Sequence, residues 1–327
     1  MNCGEYAPLE IGKLREVIHE MRMQKFFSIL LSAVFLFSTV GTAAAAAPDS
    51  MPSKLAAVEQ AAYGTEQTGA LMDRVNHLER DFEGAHPNDS VMTRVDSLYA
   101  TMFDNTNGPS LLTQMNAIEY AITREVSMKS IQDRVTAMET TMQGKPSEGT
   151  YKARIDKLAG YAFGSNPIPL TQYSVPANTL VRIKLVTPVN AKKMKVGDAI
   201  EYQAAEDVVE NGLLLFAKGA PGFGKVTKVV QARNFGRDAE VDIDFQSLKA
   251  IDGTNVDMFL GPEAKKQMET MAMAAGASIA GMVVLGPIGI VAGAFVNGKN
   301  VDLPAGTELY IQTKADTPLY GLTVSAK

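Results

Sequence analysis

Glu240, Asp242 and Asp244 alternate with Val241, Ile243 and Phe245, which sets three carboxylates on one face of an expected strand. Such a row could meet a calcium ion, but calcium takes about six to eight oxygens converging from several elements. The solvated face of a half-buried strand accounts for the row, so no metal is expected there. His77 and His86 each lack a second ligand at metal spacing, and His19 lies in the leader. No histidine falls in the C-terminal half, so no Ser-His-Asp arrangement can be assembled. Cys3 stands alone, which leaves the chain beyond it without disulfides, thiolate ligands or a cysteine nucleophile. Gly219-Ala220-Pro221-Gly222-Phe223-Gly224-Lys225 has the glycines of a phosphate loop but not its Gly-Lys-Ser/Thr ending, and Lys225 runs on into a strand. A tight turn is expected there. Lys192, Lys193 and Lys195 make a basic turn; a solvated loop is the default reading and lipid head groups the alternative. No catalytic residue, cofactor or metal site is expected. A net charge of −5 gives no basic field for nucleic acid.

The charges with a definite spacing are Arg and Glu. After the leader the chain repeats with a period of 20 residues, starting at Met51, Leu71, Val91, Leu111, Ile131 and Tyr151. The fourth residue of each copy is Lys54, Arg74, Arg94, Gln114, Arg134 or Arg154. Apolar residues follow it, and four copies carry Glu59, Glu79, Glu119 or Glu139 five residues after that basic position or Gln114. Within a copy the apolar spacing is that of a heptad seam, so each is read as a helix of about 13 residues, roughly 20 Å long. Breakers such as His86-Pro87, Gly108-Pro109 and Lys145-Pro146 separate most copies. Residues 111–142 lack a strong one, which leaves room for a longer helix there.

Single helices of this length are marginal in water and must pack on something. In a parallel bundle, Arg at a g position faces Glu at the following e position of the neighbouring chain. Arg74, Val75, Leu78 and Glu79, and again Arg134, Val135, Met138 and Glu139, resemble the Arg-h-x-x-h-Glu hexad of parallel trimeric coiled coils. The reading taken is a parallel homo-oligomer, a trimer, joined through these eight residues. An intramolecular solenoid is the alternative.

Residues 1–47 form a leader. Arg22 and Lys25, the apolar run 26–40 and the Ala-rich end 43–47 have the anatomy of a cleaved signal peptide, with translation starting at Met21 or Met23. The repeats occupy 51–164 and a linker 165–174. From 175 to 327 the pattern turns to short β-rich runs near 180–186, 200–205, 213–216, 224–231, 239–246, 255–259, 308–313 and 319–324. The fold class is α+β: an array of short helical repeats, then a mainly antiparallel barrel or sandwich with an inserted glycine-rich helical hairpin at 268–296.

That insertion contains a 26-residue stretch, 271–296, without a charge. Gly286-Pro287 breaks it in the middle. Gly276, Ala277, Gly281, Gly289 and Gly293 are small enough for two legs to pack backbone to backbone. Near-identical strand starts, Val175-Pro176-Ala177 and Leu303-Pro304-Ala305, bracket the stretch, so a hairpin returning to one β unit is expected.

Pro176, Thr179, Gly197, Asp198, Glu206, Asp207, Val208, Asn211, Gly212, Lys218, Gly219, Gly224 and Gly253, with the insertion, follow an order similar to the barrel-forming outer-membrane subunit of type IV secretion channels. The resemblance spans about 150 residues. It implies a barrel with a helical hairpin between strands that reaches the outer membrane. In place of that family's inner-membrane anchor and Pro-rich stalk, this chain has a leader and helical repeats, which resemble LxxRLxxLE-type repeats of exported bacterial envelope proteins. The expected function is a non-enzymatic envelope protein, exported to the periplasm, outer membrane or cell surface. It would contact membrane lipid through 271–296 and use its repeats for self-association or for an envelope or cell-wall partner. A ring-forming subunit of an export channel is the alternative.

Overall fold

The computed structural model describes residues 48, 50–84, 88–231, 239–274, 294–295 and 301–324. Six helices follow the 20-residue period: α1 (Met51–Tyr63), α2 (Leu71–Phe82), α3 (Val91–Phe103), α4 (Leu111–Thr123), α5 (Ile131–Gln143) and α6 (Tyr151–Phe163). Five of the six starts are fixed by the residue before them. Ser50, Ser90, Ser110, Ser130 and Thr150 accept the amide three residues on, at 3.1–3.3 Å. Such a cap stabilises a helix by about 1 kcal/mol. Ala70 makes no such bond. The ends are equally local: Gly64, Arg124 and Gly144 turn left-handed after α1, α4 and α5. Arg124, at φ 62°, is why residues 111–142 do not run as one helix.

The six helices share one core. Val58, Leu78, Val95, Ile118, Val135 and Leu158 are at most 1% exposed and lie in a single cluster. Burying each stabilises the array by about 1.5–3 kcal/mol. A repeat also meets the one four places on. Gly64 faces Ser130, a Cβ at Gly84 would lie 3.2 Å from Thr150, and the rings of Phe82 and Tyr151 are 5.1 Å apart. The array therefore curls back on itself around a common interior.

The β half is built from two main sheets. Strands β2 (Leu180–Leu185), β4 (Ala199–Ala204), β7 (Pro221–Val230), β8 (Glu240–Lys249), β9 (Asn255–Phe259) and β12 (Glu308–Thr313) close in the order β8-β7-β4-β2-β12-β9, with β9 returning to β8. Every pair in this six-stranded barrel is antiparallel. Ile183, Val256, Phe245, Tyr202 and Ile311 fill it. Tyr202 donates to Ser247 O at 2.9 Å, and a Cβ at Gly222 would fall 2.1 Å from the Tyr202 ring. Gly222 is thus a seat for a ring within β7, which answers why the glycines at 219–224 resemble a phosphate loop without being one.

The second sheet has the order β1 (Leu170–Val175), β13 (Thr317–Thr323), β6 (Leu213–Phe216), β5 (Val208–Glu210). β1 occupies the second half of the stretch read as a linker. Its residues are largely polar, and it pairs along its whole length with β13. A short pair joins β3 (Val189–Asn190) to β11 (Asp302–Leu303). Between β9 and β11 come α7 (Pro262–Ala274) and β10 (Ala294–Phe295), which pairs with β8. Helical array and sheets together form one compact unit, Ala44–Lys327.

Candidate functional site

The Arg–Glu pairs form, but at a different offset. Each Glu receives the Arg 15 residues later, from the next repeat. Arg74 meets Glu59 at 2.6 Å, Arg94 meets Glu79, Arg134 meets Glu119 at 2.7 Å and Arg154 meets Glu139 at 2.7 Å. The guanidinium also reaches back 18 residues, to Asn76, Asn116 and Thr136. Three of these carboxylates hold a loop as well. Glu59, Glu119 and Glu139 accept the amides of Gln67, Ser127 and Ser147 in the loops that follow them, at 2.9–3.0 Å. One carboxylate therefore fixes both the loop and the next helix. Burial pushes the Glu139 carboxyl up, yet the hydrogen bonds from Arg154 and Ser147 outweigh it and hold it below its usual value.

The eight residues assigned to a seam between chains are accordingly used inside one chain. Val75, Leu78, Val135 and Met138 are at most 1% exposed in the shared core. Arg74 and Arg134 pair with Glu59 and Glu119, not with Glu79 and Glu139. This is the intramolecular alternative. The physical reason is the linker: about seven residues return the chain so that successive helices lie side by side, and charges one repeat apart become neighbours. The imperfect copies follow from the same rule. Lys54 has no preceding Glu and instead meets Asp96 at 2.6 Å; Ala159 has no following Arg; Tyr99 and Gln114 are the two halves of a single absent pair.

That absent pair marks the junction before α4, the helix that docks on the sheets. Ala117 and Tyr120 pack with Leu214, Ala217, Ile251 and Leu322. Thr113 donates to Asp252 O and Asn116 to Ile251 O, both at 2.8 Å, while Tyr120 donates to Asp207 at 2.7 Å. Asn116 thus accepts Arg134 with one amide atom and holds the β8–β9 turn with the other. A cleft of about 450 Å³ lies beside this dock, between Asn105, Gln172, Tyr173, Asp252 and Tyr320. Burial pushes the Asp252 carboxyl up, against the pull of the Tyr320 and Thr254 amides. Both its oxygens already accept hydrogen bonds from these neighbours, so it serves the turn rather than a ligand.

The carboxylate row lies on the barrel wall. Glu240 pairs with Lys228 at 2.8 Å, and Asp242 and Asp244 stand opposite Lys228 and Lys225 in the ladder. Burial, then the Glu240 charge, pushes Asp242 up. His77 is exposed, 3.5 Å from Asp81, and His86 lies outside the described residues. Among the described residues no group of three metal-binding side chains comes together.

The leader and the hairpin residues Gly276, Ala277, Gly281, Gly286, Pro287, Gly289 and Gly293 also lie outside the described residues. Of 271–296, residues 271–274 continue α7, and Ala294–Phe295 form a strand where the second leg was read as helix. Among the described residues no helix is long and apolar enough to cross a membrane. α7 lies on the barrel: Ala264 is buried and its amide donates to the fully buried Gln312.

No protein-family model and no curated protein sequence matches this chain. Among solved structures it is similar to ComB10 of the Com type IV secretion system of Helicobacter pylori, at 12% identity and a TM-score of 0.25, over 44% of this chain and 88% of that one. No residue role is carried across at that level.

Sequence reasoning missed the N-caps, the Glu-to-loop bonds and the dock. The caps had a visible signal, a Ser or Thr before five of the six repeat starts. The dock had none, because its partners are 87 to 139 residues apart.

Proposed function

We propose that this protein is an exported, non-catalytic component of the cell envelope that holds to a membrane through residues 271–296. The observation that supports this reading best is the pairing of β9 with β12, in which Met258 and Phe259 stand opposite Thr313 and Gln312. These strands flank the charge-free stretch, and both belong to one closed barrel. A chain whose flanks are hydrogen-bonded neighbours crosses a bilayer an even number of times or not at all. With Ala294 and Phe295 held in a strand on β8, two helical legs drawn from the rest of the stretch would each be shorter than about 20 Å, short of a hydrocarbon core of roughly 30 Å. In this reading the hairpin dips into one leaflet and the barrel sits on that face. With the seam residues packed inside one chain, contacts with another envelope component fall to the outward surface of the array.

The test is fractionation of the full chain against a chain in which residues 275–293 are replaced by a Gly/Ser linker of equal length. The first should sediment with membranes and resist a high-salt wash, and the second should be released. Equal behaviour of the two would overturn the proposal.

A further inference from the structure

Three lysines stand on one turn, at the end of the barrel to which the apolar stretch returns. β2 leads through β3 into residues 191–198, and this turn is tied down on several sides. The Ala191 amide donates to Val301 O at 3.1 Å, just after the stretch, and Asn190 pairs with Asp302 across β3–β11. Gln231, at the end of β7, donates to Ala191 O at 3.3 Å, and the Gly197 amide donates to Val226 O at 2.8 Å. Asp198, the acidic residue on the turn, accepts the Lys195 amide at 2.8 Å.

The fixed turn points its cations outward. Lys192, Lys193 and Lys195 are exposed, and none makes an ion pair among the described residues. Met194 between them packs toward the barrel core, so the backbone is anchored beneath the charges. Val196 is 65% exposed, the highest value among the large exposed apolar side chains of the described residues. Lys225 lies alongside, its Cε 3.8 Å from where Gly197 would carry a Cβ.

We propose that this turn is a second membrane contact, which binds the anionic head groups of the leaflet that residues 271–296 enter. The inference rests on the membrane reading above and deepens it by naming the lipid chemistry. A solvated loop accounts for three lysines. It does not account for an apolar tip among them, on a turn stitched to the returning end of a charge-free stretch. Lysines at an anionic surface gain attraction within about one Debye length, and an apolar side chain between them enters the head-group boundary.

The experiment uses the full chain with vesicles of phosphatidylcholine alone or with phosphatidylglycerol added. At about fivefold per lysine, the wild type should prefer the anionic vesicles on the order of a hundredfold, and added salt should erase the preference. K192Q/K193Q/K195Q should bind neutral vesicles as well as the wild type does and lose the preference. A triple variant that keeps the preference overturns the assignment of the turn. Soluble polyglutamate displacing the protein as well as anionic vesicles do would assign the turn to an acidic protein, and overturn it too. Wild type that binds neutral vesicles without any anionic preference overturns the turn alone. Binding to neither vesicle overturns the membrane reading beneath it. The chain with 275–293 replaced should lose neutral binding and retain a weaker, salt-sensitive binding to anionic vesicles.

Discussion

The helical array keeps its repeating Arg–Glu pairs inside its wall, whereas the barrel wears its ion pairs on the surface. Glu59, Glu79, Glu119 and Glu139 are at most 6% exposed, and each is joined to the next repeat. On the barrel, Lys228–Glu240 and Arg182–Glu206 lie at the surface, where an ion pair contributes little. The difference follows from how each half is connected. Barrel strands are already bound to their neighbours by backbone hydrogen bonds, so register needs no further device. Short helices satisfy their hydrogen bonds internally, and only side chains can say which helix lies beside which. Buried ion pairs are weak sources of net stability, and here each one matches a helix to its neighbour in the array.

The comparison can be broken most directly at Arg134. Replacing Arg134 with Met leaves Glu119 without its cation and should cost about 3–5 kcal/mol in denaturant unfolding. Replacing Lys228 with Met on the barrel should leave the transition where it is. A loss in R134M no greater than in K228M would place the ladder on the footing of a surface pair.

Acid sharpens the contrast. The Glu139 carboxyl is held below 4.5 in the folded array, so its contribution is complete above that pH and is lost as the pH falls through the folded value. Asp252 is raised above 3.8, so its protonated form favours the fold and stability is lost as pH rises through its folded value. Between pH 4.5 and acid, the wild type should therefore lose more stability than E139Q. D252N should remove the opposing term and make the acid loss steeper. Unfolding curves across that range decide it, and an E139Q chain as acid-sensitive as the wild type would sink the argument.

The smallest effect is expected where the ladder is already interrupted. Y99E/Q114R supplies the absent pair between the third and fourth repeats. A buried pair roughly balances its desolvation, and Tyr99 gives up its ring contact with Phe103 at 4.9 Å. The double variant should unfold within about 1 kcal/mol of the wild type, and each single variant should be less stable than the double. Single variants as stable as the double would mean that position 99 does not face position 114.

Much of this was legible in the sequence. The period placed all six helices, and β6, β9 and β12 lie on the residues where β-rich runs were read. The pairing partner was not, although its residues were in view. Coiled-coil rules look five residues ahead and across to another chain, whereas a side-by-side array pairs residues 15 apart. The clue lay in the exceptions: Tyr99 and Gln114 depart together, and Lys54 and Ala159 are the two unmatched ends. β1 escaped notice because a largely polar strand paired on one side has no apolar alternation to read. Asn116 and Tyr120 look like ordinary polar helix positions until the β8–β9 turn and Asp207 are brought to them.

The place of β12 in the barrel also sets an order of events. It lies between β2 and β9, yet it follows the charge-free stretch in the chain. Until residue 313 has emerged, the other five strands make an open sheet with β2 and β9 as bare edges, each a template for unwanted pairing. The apolar stretch therefore always meets its surroundings before the barrel can shut. A chain stopped short of β12 would carry two sticky edges at once, which makes Glu308–Thr313 a checkpoint for the whole barrel.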